Sequence, residues 1–206
     1  MAEKALAIFD IGKTNKKLVL FNQQYEVIWQ QSIQLPETID EDGEPCEDLP
    51  GLIQWIKNSF GSVMADKRYA IEGINFSTYG ASLVHVNELG IPIAPLYNYL
   101  KKYPDNLQED FYNRFGGKKA FCLSTASPAL GHLNSGLQLL WLKHQKPDVF
   151  NQIKTSLHLP QFIAALFHNQ HYSDITSIGC HTALWNFTQQ QYHEWILKEG
   201  IQPLLA

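Results

Sequence analysis

From the amino terminus, apolar and polar positions fall into blocks with strand or helix spacing. Residues 5–9, ALAIF, form a short apolar run bounded by Lys4 and Asp10. Such a run suits a strand covered on both faces, where the sequence need not alternate. Residues 17–21, KLVLF, predict a second strand, and residues 25–34, YEVIWQQSIQ, a third in which apolar and polar positions alternate. Only short polar turns separate the three, which predicts an antiparallel meander. Residues 41–51, EDGEPCEDLPG, are acidic and rich in proline and glycine, and predict a loop whose charges face water. Leu52, Ile53, Trp55, Ile56 and Phe60 then recur at helical spacing and predict a helix over 52–64. A fourth strand over 69–76 ends on the polar island Ser77-Thr78-Tyr79-Gly80, followed by extended chain to Val86 and a turn at 87–90.

The remainder is mostly helical in pattern. Residues 107–114 and 137–144 predict helices, the second stopped by Pro147, which lacks an amide donor and restricts the residue before it. Residues 157–160, LHLP, read as a strand edge feeding a helix over 161–168, and residues 192–198 as a last short helix. The order βββαβ, followed by helices and loops, predicts one α/β domain over 1–206: a mixed sheet beginning with an antiparallel meander and flanked by helices. A Rossmann-type sheet would alternate strand and helix from the start.

Composition narrows the function classes. Of 206 residues, 45% are hydrophobic and 17% charged, enough apolar material for a sizeable core and unlike a disordered chain. The net charge of −4 argues against a general nucleic-acid binder, which is normally basic. The pairs Lys16–Lys17, Lys101–Lys102 and Lys118–Lys119 read as solvated surface. Cys46, Cys122 and Cys180 are odd in number and far apart, which suits a reduced, cytoplasmic compartment. The start MAEKALAIFDIG lacks the apolar core of a signal peptide, and no apolar run is long enough to cross a bilayer, so no membrane partner is expected.

Residues 9–21, FDIGKTNKKLVLF, carry more chemistry than a hairpin turn requires. Gly12 has no Cβ, so the backbone can approach an anion closely and adopt positive φ if required. Thr14 offers a hydroxyl, and neighbouring amides can form an anion-holding concavity. Lys17, rather than Lys13 or Lys16, is the favoured source of positive charge. Asp10 would repel a phosphate unless a cation lay between them, and Mg²⁺ resolves that conflict by bridging a carboxylate to nucleotide phosphates. Histidines 85, 132, 158 and 181 are scattered without ligand spacing, and His168 and His171 straddle a helix end.

The segment DIGKTNKKLVLF resembles the first phosphate motif of the FGGY carbohydrate kinases, with Asp10, Gly12, Thr14 and Lys17 in register and Lys13 where threonine is usual. Further segments match in order: INFSTYGASLVHVNELGIPIAPLYNY, LLWLKHQKPDVF, LHLPQFIAALF and SDITSIGCHTALWN. The resemblance covers almost the whole chain. It implies the ribonuclease H-like domain of an actin-like ATPase, and the N-terminal half of a kinase that moves the γ-phosphoryl group of ATP to a sugar or polyol hydroxyl. By that resemblance Asp10 organises Mg²⁺; Gly12, Thr14, Asn15 and Lys17 face the ATP phosphates; and Thr78, Tyr79 and Gly80 form the substrate turn. Asp174 falls on a position that fixes local structure.

The chain also departs from the family pattern. Tyr79 stands where His or Glu is usual, Tyr99-Leu100-Lys101-Lys102-Tyr103 replaces W-x-D-x-R, and Gln138 stands where lysine is common. The family's catalytic base lies in a Gly-Asp-x-x-Ala motif of a second, C-terminal domain, beyond Ala206, together with the adenine site. The expected partners are therefore a small sugar or polyol and that second domain, with an oligomer compatible with the sequence. The chain alone is expected to be catalytically silent. A rival of another class is a non-catalytic actin-like domain that binds sugar or a protein; the Asp10-Gly12-Thr14-Lys17 set speaks against it. An acetate-kinase-type or chaperone-type phosphotransferase fits the SDITSIGCHTALWN segment less well.

Overall fold

The computed structural model describes residues 2–206. Strands β1 (Glu3–Ile11), β2 (Lys16–Phe21) and β3 (Val27–Ile33) form the expected meander. The acidic loop contains a short antiparallel pair, β4 (Thr38–Ile39) and β5 (Pro45–Cys46), before helix α1 (Leu49–Ala65) and strand β6 (Tyr69–Thr78). β6 lies parallel to β1, giving the sheet order β3-β2-β1-β6.

Side-chain alternation decides what each strand shows to which face. Ala5, Ala7, Phe9 and Ile11 of β1 and Leu18 and Leu20 of β2 point into a buried cluster with Leu52 and Ile56 of α1. Burying side chains of this size stabilises by about 1.5–3 kcal/mol each, before conformational entropy is counted. The other face carries Asp10 opposite Lys17 in β2 and opposite Ser77 in β6.

Helix α1 starts three residues before the sequence pattern indicates. Asp48 caps it, its carboxylate accepting from the Gly51 amide at 3.1 Å, and Pro50 sits in the first turn. Proline is tolerated there because the missing amide has no helical partner anyway. Nor do all the acids before it face water as expected: Glu47 is buried, whereas Glu41 and Asp42 stay exposed while pairing with lysines. Two of the lysines read as solvated, Lys16 and Lys101, are likewise covered; Lys101 pairs with Asp40 and Asp42.

After β6 come β7 (Leu83–Val86), α2 (Asp105–Arg114), α3 (Lys118–Thr125), α4 (Ser135–Gln145), α5 (Pro147–Phe150), β8 (Thr155–His158) and α6 (Leu159–His168). The chain continues through α7 (Ile175–Ile178), β9 (Trp185–Asn186), β10 (Gln191–Tyr192) and α8 (Trp195–Lys198). β7 pairs antiparallel with β8, apart from the main sheet. Phe162 and Ile163 of α6 join the cluster beneath the sheet. A second cluster gathers the helical part around Tyr97, Phe111, Phe121, Leu140, Trp141 and Trp195. Helix α3 was not expected from the sequence, and Tyr192 belongs to a β-pair rather than to the last helix.

Candidate active site

The two polar islands meet at one end of the sheet. Ile11 is level with Thr78 in the parallel pair β1–β6, and the Tyr79 amide donates to the Ile11 carbonyl at 2.9 Å. The turn after β1 and the turn after β6 are therefore neighbours.

In the first turn the Gly12 amide donates to the Asn15 carbonyl at 2.9 Å. A Cβ on Gly12 would sit 2.9 Å from that same oxygen, so glycine is required by the tight closure; positive φ plays no part. Asp10, Thr14, Asn15 and Lys17 are all exposed. The Asn15 side-chain oxygen accepts from Gln34 Nε2 at 2.8 Å, which fixes that amide and leaves its N–H groups outward.

Lys16 is the exception. One residue from Lys17, it points to the opposite face, where its Nζ lies 2.8 Å from Glu47 Oε1 with side-chain exposures of 1% and 3%. The same Nζ donates to the Lys13 carbonyl at 2.9 Å, inside the turn. Glu47 also accepts from the Tyr79 hydroxyl at 3.0 Å. Lys16 and Glu47 thus brace one turn against the other from below. Lys13 pairs with Glu37 at 2.7 Å and stands 5.8 Å from the Tyr79 ring centre.

This changes what Tyr79 can offer. Burial first, then the Glu47 carboxylate, push its phenol pKa far up, and the hydroxyl is already engaged. Its ring, 6.2 Å from that of Tyr99, remains available to line a site. Thr78 Oγ1 donates to the Tyr79 carbonyl at 2.8 Å, and Gly80 is exposed.

Beneath Thr78, Tyr79 and Gly80 lies a pocket of about 230 Å³, walled on the far side by His158, Thr176, Ser177 and Thr182. Ala81, at its edge, adopts φ 59°, a left-handed conformation uncommon for a residue with a Cβ. Its carbonyl accepts from Gln138 Nε2 at 2.8 Å, and the same amide donates to the His132 carbonyl at 2.9 Å. Gln138, visible in the sequence only as a departure, is a fully buried clamp on the turn after β6. Asp174 caps α7, accepting from the amides of Thr176 at 2.8 Å and Ser177 at 3.1 Å. Gln161 also donates to it. Burial opposes ionisation of Asp174, but these donors outweigh it and hold the pKa below the usual carboxylate range.

The sequence shows the exposed turn but gives no sign of Glu47, nor of the pairing of His158 Nε2 with Ser135 Oγ at 3.0 Å, because these partners come from distant stretches. For Lys16 a signal did exist: period-two alternation sends neighbouring lysines to opposite faces.

An antiparallel meander joined through one helix to a parallel strand, with two polar turns at one sheet end, defines an α/β domain of the actin-like ATPase class. The chain belongs to the FGGY family of carbohydrate kinases, whose N-terminal domain matches residues 5–202. It is similar to a rhamnulokinase from Halalkalibacterium halodurans, 22% identical over 196 residues, or 94% of this chain and 39% of the relative. Among solved structures, a carbohydrate kinase from Novosphingobium aromaticivorans superimposes with a TM-score of 0.84 at 26% identity, over 100% of this chain and 42% of that one. A gluconate kinase from Lactobacillus acidophilus gives a TM-score of 0.78 at 18% identity, over 100% of this chain and 42% of that one. The chain thus spans about two fifths of the length of these relatives.

Proposed function

We propose that this chain is the N-terminal domain of an ATP-dependent carbohydrate kinase acting in the cytoplasm on a sugar or polyol. The observation that carries this conclusion is the adjacency of the two turns: exposed Asp10, Thr14 and Lys17 stand beside a second turn that roofs a small pocket free of charged side chains. Phosphoryl transfer depends mostly on positioning and on neutralising charge, and each turn supplies one half of that requirement.

The turn backbone from Gly12 to Asn15 approaches the phosphates, the Gly12 amide itself being held by the Asn15 carbonyl, with Lys17 as the local positive charge. Asp10 makes no ion pair among the described residues and fits Mg²⁺, which accepts a single carboxylate, keeps several waters and takes other oxygens from phosphates. The ion, when bound, neutralises phosphate charge. Thr78, Tyr79 and Gly80 shape the acceptor side. The base that removes the acceptor hydroxyl's proton, and the adenine site, come from a second domain. Among the described residues no helix is long and apolar enough to cross a membrane.

The test is ADP release from Mg-ATP by the full-length gene product across D-xylulose, L-rhamnulose, glycerol and D-gluconate. Acceptor-dependent ADP release supports a kinase. Ordinary nucleotide binding with no release for any acceptor would favour the non-catalytic sugar-binding or protein-interaction domain.

A further inference from the structure

The pocket beneath the substrate turn has a chemical character of its own. Thr78, Ser82, His158, Thr176, Ser177 and Thr182 supply its polar lining, and no Asp, Glu, Lys or Arg borders it. At about 230 Å³ it is smaller than pockets for drug-sized ligands, which run roughly 300–1,000 Å³. Four of the five hydroxyls are already committed as donors: Thr78 to the Tyr79 carbonyl, Thr176 and Ser177 to Asp174, and Thr182 to the Ile178 carbonyl. They can still accept a hydrogen bond.

His158 is the least expected member. It ends β8 and precedes α6, yet its side chain does not cap that helix. Its Nε2 is 3.0 Å from Ser135 Oγ, and Ser135 is fully buried at the start of α4. Ser135 therefore fixes the ring plane and leaves Nδ1 as the edge open to a ligand. Burial pushes the imidazole pKa down to about 4, against an opposing pull from Asp174. The ring is thus neutral at ordinary pH, a donor at one nitrogen and an acceptor at the other. A hydroxyl, which can both donate and accept, is the group that matches such a ring whichever tautomer it adopts. A carboxylate or phosphate would lie in a small pocket with no positive side chain, and burying an unpaired charge is costly.

We infer that this pocket receives a neutral, hydroxyl-bearing end of the acceptor, and that His158, oriented by Ser135, determines which acceptors fit. The inference rests on the kinase proposal for the identity of the acceptor, but the pocket can be tested apart from catalysis. Cys180 sits exposed on the pocket rim, whereas Cys46 is buried, so the iodoacetamide alkylation rate at Cys180 reports occupancy.

The experiment follows that rate, by peptide mass spectrometry, in the 206-residue chain with D-xylulose, glycerol or succinate. At least one neutral compound is expected to slow alkylation several-fold, with succinate, which has carboxylates at both ends and no hydroxyl, at least tenfold weaker. His158→Phe should abolish protection, His158→Gln should restore part of it because an amide also donates and accepts, and Ser135→Ala should weaken it. Ser135→Ala removes a single hydroxyl, so it serves if His158→Phe does not fold. Equal protection by succinate, no protection by any neutral probe, or unchanged protection in both His158→Gln and Ser135→Ala would overturn the inference. Protection that follows this pattern, alongside a full-length gene product that releases no ADP with any acceptor, would uphold the pocket while ending the kinase proposal. Acceptor-dependent ADP release without protection would do the reverse.

Discussion

The turns after β1 and β6 end neighbouring strands of one sheet, yet they are built in opposite ways. The first is local. Four consecutive residues, Gly12 to Asn15, close it through one backbone hydrogen bond, and Asp10, Thr14, Asn15 and Lys17 extend into solvent. The second is assembled from far apart. Its backbone is clamped by Gln138, and its pocket is walled by His158 and by the Asp174-capped turn. A turn that meets a mobile, highly charged ligand needs open side chains, whereas one that selects among similar hydroxyl compounds needs fixed walls. The buried Lys16–Glu47–Tyr79 set joins the two.

Acid should separate the regions most. Burial pushes His85, His132 and His158 each down to about 4 from the ordinary value of 6.5. Between about pH 6.5 and 4 the unfolded chain binds protons that the folded chain refuses, so stability falls as pH drops through that window, by up to about 3 kcal/mol per histidine. All three lie after β6. Hydrogen exchange at pH 5 against pH 7.5 should show protection lost first in β7, β8 and α4, with the β1–β2 hairpin holding longer. Simultaneous loss would break the comparison.

Next comes the brace. Lys16→Met strands the Glu47 charge in the interior and should cost about 3–5 kcal/mol in urea denaturation, with the double variant Lys16→Met/Glu47→Gln recovering most of it. Lys17→Met, one residue along but exposed, should stay within about 0.5 kcal/mol of the parent. Equal effects at the two lysines would refute the division between a buried and an open face.

A smaller effect is expected at the pocket wall. Asp174→Ala removes the cap of α7 and should cost about 1 kcal/mol, while Asp174→Asn, an equally good cap, should cost little. Thermal melts of the two variants make the check. No difference between them would mean that the carboxylate's contacts with Thr176 and Ser177 contribute nothing.

The same contrast explains what could be read from the sequence. Strands rich in apolar residues show in the sequence, and the turn after β1 is contiguous, so β1, β2, β6 and the Asp10–Lys17 turn were legible; but β1 buries one face only, with Leu6 43% exposed, and not both faces as its apolar run suggests. Helix α3 was not, because KKAFCLST presents one large buried residue, Phe121, whose partners Phe111 and Tyr112 lie on another helix. Nor was β10, whose two residues are too few to show a period. Glu47 reads as one more acid in a polar loop, and only tertiary pairing with Lys16 makes it interior. His158 lacks any ligand spacing because its partner, Ser135, belongs to a different helix.

The most direct test of the central claim, that the turn after β1 receives magnesium-bound phosphates, is an amide NMR titration of the 206-residue chain with Mg²⁺ and inorganic triphosphate. Gly12, Thr14, Asn15 and Lys17 should shift strongly only when both are present, and Asp10→Asn should remove the magnesium requirement or the response while leaving the rest of the spectrum in place. Unmoved turn amides, or an Asp10→Asn chain that responds as the parent does, would contradict it.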